Sequence, residues 1–343
     1  MRAQALAVER SKGEQVRRAL SAGGWLRGDL QPQREAEWVY FPVQGLPTPL
    51  PDLILGTLVD REFEPATPRK ARDYRELVEV PGELRDLLPS SFDIVGDIVL
   101  IRLPDPLVPH GKAIGEALLS FVPGCRKVAL DRGVEGVARV RSLETLAGSG
   151  GSSTVHRENG LSFRVDLEGA YFSPRLAREH QRVAELVGPQ ENLLDLFCGV
   201  GPFALTALRL HPEARAVAVD LNPAAIALLR ENASHLGVSS RLEIVEEDAE
   251  VFLRENRTFS RVVMNLPREG YKYATSVAQH VMPAGTLHHY EVVRRADLPQ
   301  RGRDLLQEIS EATASRWTLA APHVVHPYSP SSDLVAWTLV RGD

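Results

Sequence analysis

An α/β fold built on a parallel sheet is predicted for the C-terminal half of the chain. From about residue 180, short apolar segments alternate with helical ones, and a glycine-rich turn follows the first apolar segment. This alternation is the pattern of a parallel sheet covered by helices on both faces, where ligands bind at the carboxyl ends of the strands. The alternating segments are NLLDLF (192–197), PFALTALRL (202–210), ARAVAVDL (214–221), AAIALLRENASHLG (224–237), RLEIVEED (241–248) and RVVMNLP (261–267).

The rest of the chain divides into further predicted parts. Residues 13–21 form an amphipathic helical pattern and residues 37–43 a strand, and the strand-like LILGTLV (53–59) lies in a connector rich in Pro and charge. Between residues 90 and 165, short β-rich segments surround one helical stretch (110–122), an α+β pattern. A last helix (307–317) and a β-hairpin (323–340) are predicted at the C-terminus. We therefore predict a small N-terminal module (1–65), an α+β middle domain (75–165) and a Rossmann-like domain (166–343).

Composition limits the possible environments and partners. The 343 residues contain two cysteines, too few for a disulfide framework or a four-cysteine zinc site, so no metal site is predicted. No apolar run approaches a membrane span and the N-terminus lacks a signal pattern, so a cytoplasmic protein is expected. The net charge of −5 disfavours a nucleic-acid partner, although arginines and lysines cluster in two places. The clusters are Arg69, Lys70, Arg72 and Arg75, and Arg294, Arg295, Arg301 and Arg303.

The turn after the first strand carries the main cofactor signal. Asp195 ends a buried strand, and Gly199 and Gly201 follow in the sequence DLFCGVGPF, with Phe197 between the acid and the glycines. Glycines let a backbone turn tightly and approach a ligand. Dinucleotide folds use GxGxxG here to bind pyrophosphate, but this chain lacks the third glycine. The Asp195 carboxylate would repel pyrophosphate and suits a cationic amino-acid head or a sulfonium.

Acidic residues also follow the next two predicted strands. Asp220, followed by Leu221, comes about twenty residues after the glycine turn, where a carboxylate can bind ribose hydroxyls. Asp248 follows the third strand, where it can accept from an adenine amino group. Three acids at consecutive strand ends indicate a nucleoside site, and together they favour S-adenosylmethionine over NAD.

The fourth strand of the alternating region ends in Asn265-Leu266-Pro267. A strand-end asparagine followed by proline faces the transferred methyl group in many methyltransferases, and its amide can bind an amine or ring nitrogen of a planar substrate. Proline at this point fixes φ and stiffens the loop.

The sequence resembles the archaeal and eukaryotic tRNA (guanine-37 N1)-methyltransferases, a class I S-adenosylmethionine-dependent family. The likeness extends over nearly the whole chain, and its most distinctive block is YFSPRLAREHQRV (171–183). The other segments that carry it are SSFDIVGDIVLIRLP (90–104), ARVRSLETLAG (138–148), TVHRENGLSFRVD (154–166), DLFCGVGPF (195–203) and MNLP (264–267).

The resemblance implies roles for individual residues. Arg139 would contact the guanine O6, Glu179 would remove the N1 proton, and Asn265 would orient the base; Arg141, two residues from Arg139, would share its strand face. It also implies a tRNA with guanosine at position 37 as partner, recognised partly by the N-terminal module and middle domain, and no obligatory protein partner. The predicted cofactor-binding residues are Tyr171, Arg175, Asp195, Phe197, Gly199, Gly201, Asp220, Leu221, Asp248, Asn265 and Pro267.

Other functions remain open at this point. Enzymes of the wybutosine pathway have a similar architecture and transfer an aminocarboxypropyl group from the same cofactor, and some members of the resembled family methylate a wyosine precursor at the same tRNA position. An RNA-binding module without activity would not need Glu179, Arg139 and Asn265 together. A small-molecule methyltransferase would not need the β-rich N-terminal half.

Overall fold

The computed structural model describes residues 1–51, 54–66, 71–136 and 140–343, and the chain forms two compact units, Met1–Arg72 and Asp73–Asp343. The three-domain division at residues 65, 75 and 165 stays a prediction. In the described part of the chain, no helix combines the length and apolarity that a bilayer span requires.

The first unit is an antiparallel sheet with one helix against it. Its elements are β1 (Arg2–Glu9), α1 (Gly13–Ala22), β2 (Gln33–Glu35), β3 (Trp38–Pro42) and β4 (Thr57–Glu62). The sheet order is β2-β3-β1-β4, and its core packs α1 against β1 and β3. The predicted helix and the strand at 37–43 are confirmed. The central strand β1 was not predicted, and β4 begins later than the pattern at 53–59 indicated, because sheet pairing rather than local apolarity sets both strands.

The second unit begins with a smaller sheet. Its elements are β5 (Asp93–Val95), β6 (Ile98–Ile101), α2 (Gly111–Phe121), β7 (Lys127–Glu135) and β8 (Val140–Gly148). The order is β5-β6-β7-β8, and α2 makes the crossover between the parallel pair β6 and β7. The α+β pattern predicted for this region is therefore confirmed.

A hairpin of β9 (Ser153–Glu158) and β10 (Leu161–Asp166) follows. Its two-residue turn, Asn159-Gly160, has φ of 50° and 75°, the left-handed conformations that a tight hairpin turn needs.

The larger sheet has eight strands and carries the predicted alternation. Its strand order is β13-β12-β11-β14-β15-β18-β16, with β17 paired to β18. Apolar side chains from α4, α5 and α3 cover one face, and those from α7 and α8 cover the other. The elements are α3 (Ala177–Glu185), β11 (Asn192–Leu196), α4 (Pro202–Leu210), β12 (Arg215–Asp220), α5 (Pro223–His235), β13 (Leu242–Glu246), α6 (Ala249–Phe252), β14 (Phe259–Met264), α7 (Ala274–Ala278), β15 (Val281–Arg294), α8 (Leu298–Thr313), β16 (Trp317–Leu319), β17 (His323–Pro327) and β18 (Ser332–Arg341).

The order of this sheet places the functional segments at one edge. β11 pairs in parallel with β12 on one side and with β14 on the other. Strand order reverses at β11, which makes its carboxyl end a topological switch point where a crevice opens for a ligand. The glycine turn, Asp220 and Asn265 follow these three strands and therefore meet at that edge.

The long strand β15 was not predicted, because its sequence VMPAGTLHHYEVVR contains Pro, Gly and two histidines. Its pairing with β14 and β18 is what makes it a strand. It brings Tyr290 into the core near the end of β14.

Candidate active site

The turn after β11 is tight, as the glycine pattern predicted. Gly199 and Gly201 have φ of 54° and 84°, and Phe197 has φ of 67°. A Cβ on Gly201 would lie 2.2 Å from Leu229 Cδ1, so only glycine fits there. α4 begins directly after this turn, and its N-terminal backbone faces the carboxyl edge of the sheet.

A cleft opens at this turn, and we call it the strand-end cleft. Six of the predicted cofactor residues line it: Tyr171, Phe197, Gly199, Asp220, Leu221 and Asn265. The remaining lining residues are Phe172, Ser173, Leu176, His180, Cys198, Pro202, Phe203, Asn222, Ala225 and Leu266. Its walls are largely apolar with a few polar groups, as small-molecule sites are.

Asp220 joins the ends of β11 and β12. Its carboxylate accepts hydrogen bonds from the backbone N–H groups of Gly199 (2.7 Å) and Asn222 (2.9 Å). Burial raises the pKa of Asp220, and these backbone donors oppose the rise. Each carboxylate oxygen keeps a free lone-pair direction, so the two can still accept from the hydroxyls of a ribose.

Asp195 lies beneath the turn and is fully buried. One carboxylate oxygen accepts from the Ala204 N–H at 3.1 Å, and Oδ1 has no partner among the described residues. Burial raises the pKa of Asp195 to about 7, and the negative charge of Asp220 adds to the rise. Asp195 is not among the residues that line the strand-end cleft.

Four other predicted cofactor residues lie outside the cleft wall. Gly201 is packed under the start of α4. Asp248 accepts from the Glu250 N–H at 2.7 Å and caps α6. Arg175 and Pro267 line a second cavity, and the Arg175 guanidinium pairs with Asp93 at 2.8 Å.

This second cavity, which we call the adjoining cavity, lies beside the strand-end cleft. Tyr171, Ser173, Leu176 and Asn265 line both. Residues from the smaller sheet, from the segment after β14 and from the β17–β18 hairpin complete its walls. The Asn265 Oδ1 atom is buried and has no partner among the described residues. The amide therefore stands at the junction with an acceptor available for a ligand.

Arg141, on β8, supplies buried positive charge to the adjoining cavity. Its guanidinium pairs with Asp131 at 2.5 Å and donates to the Phe172 carbonyl at 3.1 Å. Arg102 also contacts Asp131, at 3.2 Å. The Arg141 Nε atom has no partner among the described residues, so one donor remains for a ligand. Arg139, the arginine predicted to contact O6, lies outside the described residues.

Glu179, on α3, is buried and surrounded by donors. Its carboxylate accepts from Arg182 Nε at 2.8 Å and from the Tyr290 hydroxyl at 2.6 Å, and His323 Nε2 lies 3.3 Å away. Burial alone would raise the pKa of Glu179, but the hydrogen bonds from Arg182 and Tyr290 outweigh it and hold the pKa below its ordinary value. Glu179 is not among the lining residues of either cavity, although its neighbour His180 lines the cleft.

Three of the four arginines in the basic cluster near residue 300 pair with carboxylates. Arg294 pairs with Asp297, Arg295 with Asp333, and Arg301 with Glu291 and Glu308. Arg303 donates to Gln300. In the other cluster Arg75 pairs with Asp73, while residues 69 and 70 are outside the described ranges. Positive charge at the site comes instead from Arg102, Arg141 and Arg175 around the adjoining cavity.

Three residues of the site were not singled out from the sequence. His180 follows Glu179 directly, and apart from the family resemblance no sequence pattern in this helix marks it as a site residue. Tyr290 lies on the strand that was not predicted. Arg141 was noted only for sharing a face with Arg139, and its pairing with Asp131 depends on the β7–β8 register, which shifts between Asp131 and Val134.

The fold and the site together define a class I methyltransferase that uses S-adenosylmethionine. Asp220 offers acceptors to a ribose, apolar side chains such as Phe197 and Leu221 can enclose a purine, and the glycine turn leaves room for close approach. The model of the TRM5/TYW2 methyltransferase domain matches residues 154–317, and that of the TYW2 N-terminal domain matches residues 74–151.

Similar proteins agree with this class. The chain is 32% identical, over 95% of both chains, to a tRNA (guanine(37)-N(1))-methyltransferase, Trm5b, of Pyrococcus abyssi. It is similar to the crystal structure of wild-type Trm5b from the same organism, with a TM-score of 0.76, 30% identity and coverage of 99% and 100%. It is also similar to aTrm5 in its complex with tRNALeu, with a TM-score of 0.74, 28% identity and 99% coverage of both chains. The chain belongs to the TRM5/TYW2 methyltransferase family.

The burial of Asp195 predicts a stability that falls as pH rises. Its folded-state pKa of about 7 lies above that of the unfolded chain, so the folded state loses stability as pH rises from about 4 through 7. Asp195→Asn removes this titration, and without ligand its melting temperature should exceed that of the wild type by more at pH 8 than at pH 5. Thermal unfolding across this range measures the difference. The exposed Asp86→Asn should show no such trend, and a pH-independent difference for Asp195→Asn would contradict the assignment.

Proposed function

We propose that this protein transfers a methyl group from S-adenosylmethionine to N1 of guanosine 37 in tRNA. The observation that carries the proposal is that two cavities meet at Asn265 and Tyr171. The strand-end cleft has the groups for a nucleoside cofactor, and the adjoining cavity has buried donors and acceptors for a planar base. A methyl group therefore has a short path between them. Fixing two reactants in line supplies much of the catalysis in such a transfer.

Guanine N1 carries a proton at neutral pH and is a poor nucleophile until that proton leaves. Glu179 is the proposed base. Because the donors around it hold its pKa below the ordinary value, the carboxylate is ionised at neutral pH and available to accept a proton. Its Oε1 accepts from both Tyr290 and Arg182, and its Oε2 accepts from Arg182 with His323 Nε2 3.3 Å away. Because these groups occupy the lone-pair directions of the carboxylate, the N1–H must compete with at least one of them. We infer that tRNA binding displaces one of them.

Negative charge builds on O6 as N1 loses its proton, and a guanidinium from β8 or the segment before it is the proposed partner. Arg139 stays the predicted contact. Arg141 would assist, because its guanidinium lies on the wall of the adjoining cavity and its Nε has no partner among the described residues. Asn265 would orient the base through its free amide oxygen. When bound, S-adenosylmethionine supplies the methyl group on a positively charged sulfur.

The first unit and the smaller sheet of the second are the proposed tRNA-holding parts. The smaller sheet supplies Arg102 and Arg141 to the adjoining cavity, so it is part of the base site as well. The cofactor roles of Asp195, Asp248 and Arg175 stay predictions. None of the three lines the strand-end cleft, so each would contact the cofactor only after a rearrangement of the site or would act on it through other residues. A cytoplasmic location stays a prediction.

Aminocarboxypropyl transfer at the same nucleotide is the second candidate, because the match to residues 74–151 is to a TYW2 N-terminal domain. The two reactions use the same cofactor and differ in the mass that they add to the tRNA.

The substrate test uses cofactor labelled in the methyl group and tRNA transcripts that carry guanosine or adenosine at position 37. We expect label in the guanosine transcript only, and mass spectrometry should locate one added methyl group at N1 of that nucleotide. Addition of the larger aminocarboxypropyl mass would favour the second candidate, and methylation of both transcripts alike would contradict recognition of guanosine 37.

Glu179→Gln keeps the size of the side chain but cannot accept a proton. Single-turnover methyl transfer should fall by roughly 10²–10⁴, while cofactor and tRNA binding remain. Rapid-quench kinetics with saturating tRNA measure the chemical step. Glu185→Gln, on the exposed side of the same helix, is the matched control and should behave as the wild type. If Glu179→Gln transfers the methyl group at a near-normal rate when the chemical step is rate-limiting, the general base is another group.

Tyr290→Phe removes one donor from Glu179 and should raise the pKa of that carboxylate. Burial raises the pKa of Tyr290 well above its usual value, so its hydroxyl stays protonated and donates. In the variant, the acid limb of the single-turnover pH profile should move to higher pH. Tyr74→Phe is the matched control, since Tyr74 is equally buried and its hydroxyl donates to the Pro89 carbonyl. Equal profiles for the two variants would show that Tyr290 has only a packing role.

A further inference from the structure

One row of side chains across the larger sheet reaches the buried carboxylate of Glu179. Tyr290 on β15 pairs with Ala336 on β18, and Ala336 pairs with His323 on β17. Residues directly opposite on paired strands share a face, and Ala336 belongs to the core on the face that α3 covers. Tyr290 and His323 therefore approach Glu179 from the two sides of a small residue. The Tyr290 hydroxyl lies 2.6 Å from Oε1, and His323 Nε2 lies 3.3 Å from Oε2.

A register shift in the β17–β18 pairing brings a second histidine to the same face. His323 lies opposite Ala336 and His326 lies opposite Leu334, with one extra residue of β17 between the two pairs. Without the extra residue, side chains three apart would point to opposite faces. His326 and Leu334 line the adjoining cavity. The row at this cavity is therefore next to the row that reaches the carboxylate, about 7 Å away at two residues of strand.

The three groups around Glu179 differ in how firmly they are held. Tyr290 is fully buried, and breaking its bond would leave a hydroxyl without a partner in the core. Arg182 binds both carboxylate oxygens from the same helix, and separating this pair would leave a buried charge uncompensated. The His323 side chain is 48% exposed and makes no hydrogen bond in the part of the chain that the structure describes. Of the three, His323 can turn into water without leaving a buried group unpaired.

We propose that His323 is a gate on the general base: it covers Oε2 of Glu179 in the free protein and gives way to the N1–H of guanosine 37. This inference rests on the proposed function. Glu179 lines neither cavity, so a nucleobase in the adjoining cavity reaches it only when a covering group moves. Arg182 and Tyr290 stay bound during the exchange, and the N1–H replaces the imidazole at Oε2. The carboxylate therefore remains paired throughout.

Only a nucleobase with a hydrogen on N1 can take the place of His323. Guanine N1–H donates to the carboxylate, whereas adenine N1 presents a lone pair that the carboxylate repels. A tRNA with adenosine 37 therefore reports the contacts outside the base pocket, and one with guanosine 37 reports the exchange as well. Because His323 competes with guanine for one oxygen, its removal should strengthen binding of the guanosine tRNA only.

The test measures binding of tRNA transcripts that carry guanosine or adenosine at position 37, with S-adenosylhomocysteine present so that no methyl is transferred. His323→Ala removes the gate, and His323→Lys places a permanent positive charge within reach of Glu179. The affinity for the guanosine transcript relative to the adenosine transcript should rise roughly 2- to 5-fold in His323→Ala, as for a lost half-exposed ion pair. It should fall by a similar factor in His323→Lys.

Single-turnover kinetics with S-adenosylmethionine separate a gate from a part in the chemical step. The tRNA concentration at half-saturation should decrease in His323→Ala and increase in His323→Lys. The maximal rate should change little in either variant, because the gate is open once the nucleobase is bound.

Val324 provides the matched controls. It is the next residue of β17, is half-exposed, and pairs with Val335, which belongs to the core on the opposite face of the sheet. Val324→Ala and Val324→Lys make the same changes in size and charge near the tRNA without reaching Glu179, and both should keep the wild-type affinity ratio. His323→Gln keeps a donor near Oε2 and should also resemble the wild type, so it replaces His323→Lys if that variant does not fold.

The results that overturn the inference differ from those that overturn the proposed function. If His323→Ala and His323→Lys shift the affinity ratio in the same direction, or no further than the Val324 variants, His323 is not a gate. A fall in the maximal rate of His323→Ala at unchanged half-saturation would also contradict it. In each of these cases, methylation of guanosine 37 by the wild type still supports the proposed function. If the wild type methylates neither transcript, the proposed function and this inference fall together.

Discussion

The site depends on the hydrogen bonds that tie the turn after β11 to the end of β12. Asp220 accepts from the Gly199 N–H, and the Val219 carbonyl accepts from the N–H groups of Phe197 and Cys198. These bonds hold a turn in which three residues have positive φ. The two glycines adopt this conformation readily, whereas for Phe197 it costs free energy unless the surroundings fix it. Once the turn is fixed, the direction of α4 and the shape of the strand-end cleft follow. The Asp220 carboxylate, which is predicted to bind the ribose, thus also holds the backbone beside it.

The buried polar residues of the site differ in how completely they are paired. Asp195, His180 and Asn265 each keep a buried polar atom without a partner in the described structure, whereas Asp220 and Glu179 are bound by two or more donors. Unpaired atoms at a fold's centre reduce stability and are tolerated where a ligand completes them. The pairing of Glu179 has the opposite effect, because it keeps the proposed base ionised while occupying the lone pairs that would take the proton.

The proposed base is therefore linked to parts of the chain far apart in sequence. Arg182 lies one turn along the same helix, Tyr290 comes from β15, and His323 from β17. The β17–β18 hairpin also supplies His326 and Tyr328 to the adjoining cavity. A substrate that enters this cavity contacts the same hairpin that reaches Glu179. Binding of the guanine ring there gives a physical route to release the Glu179 carboxylate from one of its donors.

Periodicity and glycine spacing in the sequence were enough to predict the alternating sheet, the turn at Gly199 and Gly201 and the strand-end positions of Asp220 and Asn265, because these depend on neighbours within a few residues. The family block at 171–183 implied a role for Glu179, and Arg182 lies at helical spacing from it, but Tyr290 and His323 reach it through strand pairings that no local pattern encodes. The same holds for β1 and β15, which are strands because other strands pair with them, and for Asp248, whose carboxylate caps a helix. Only the tertiary structure decided that His180 and Glu158, 22 residues apart, form one buried pair, because their contact requires the β9–β10 hairpin to pack beside α3.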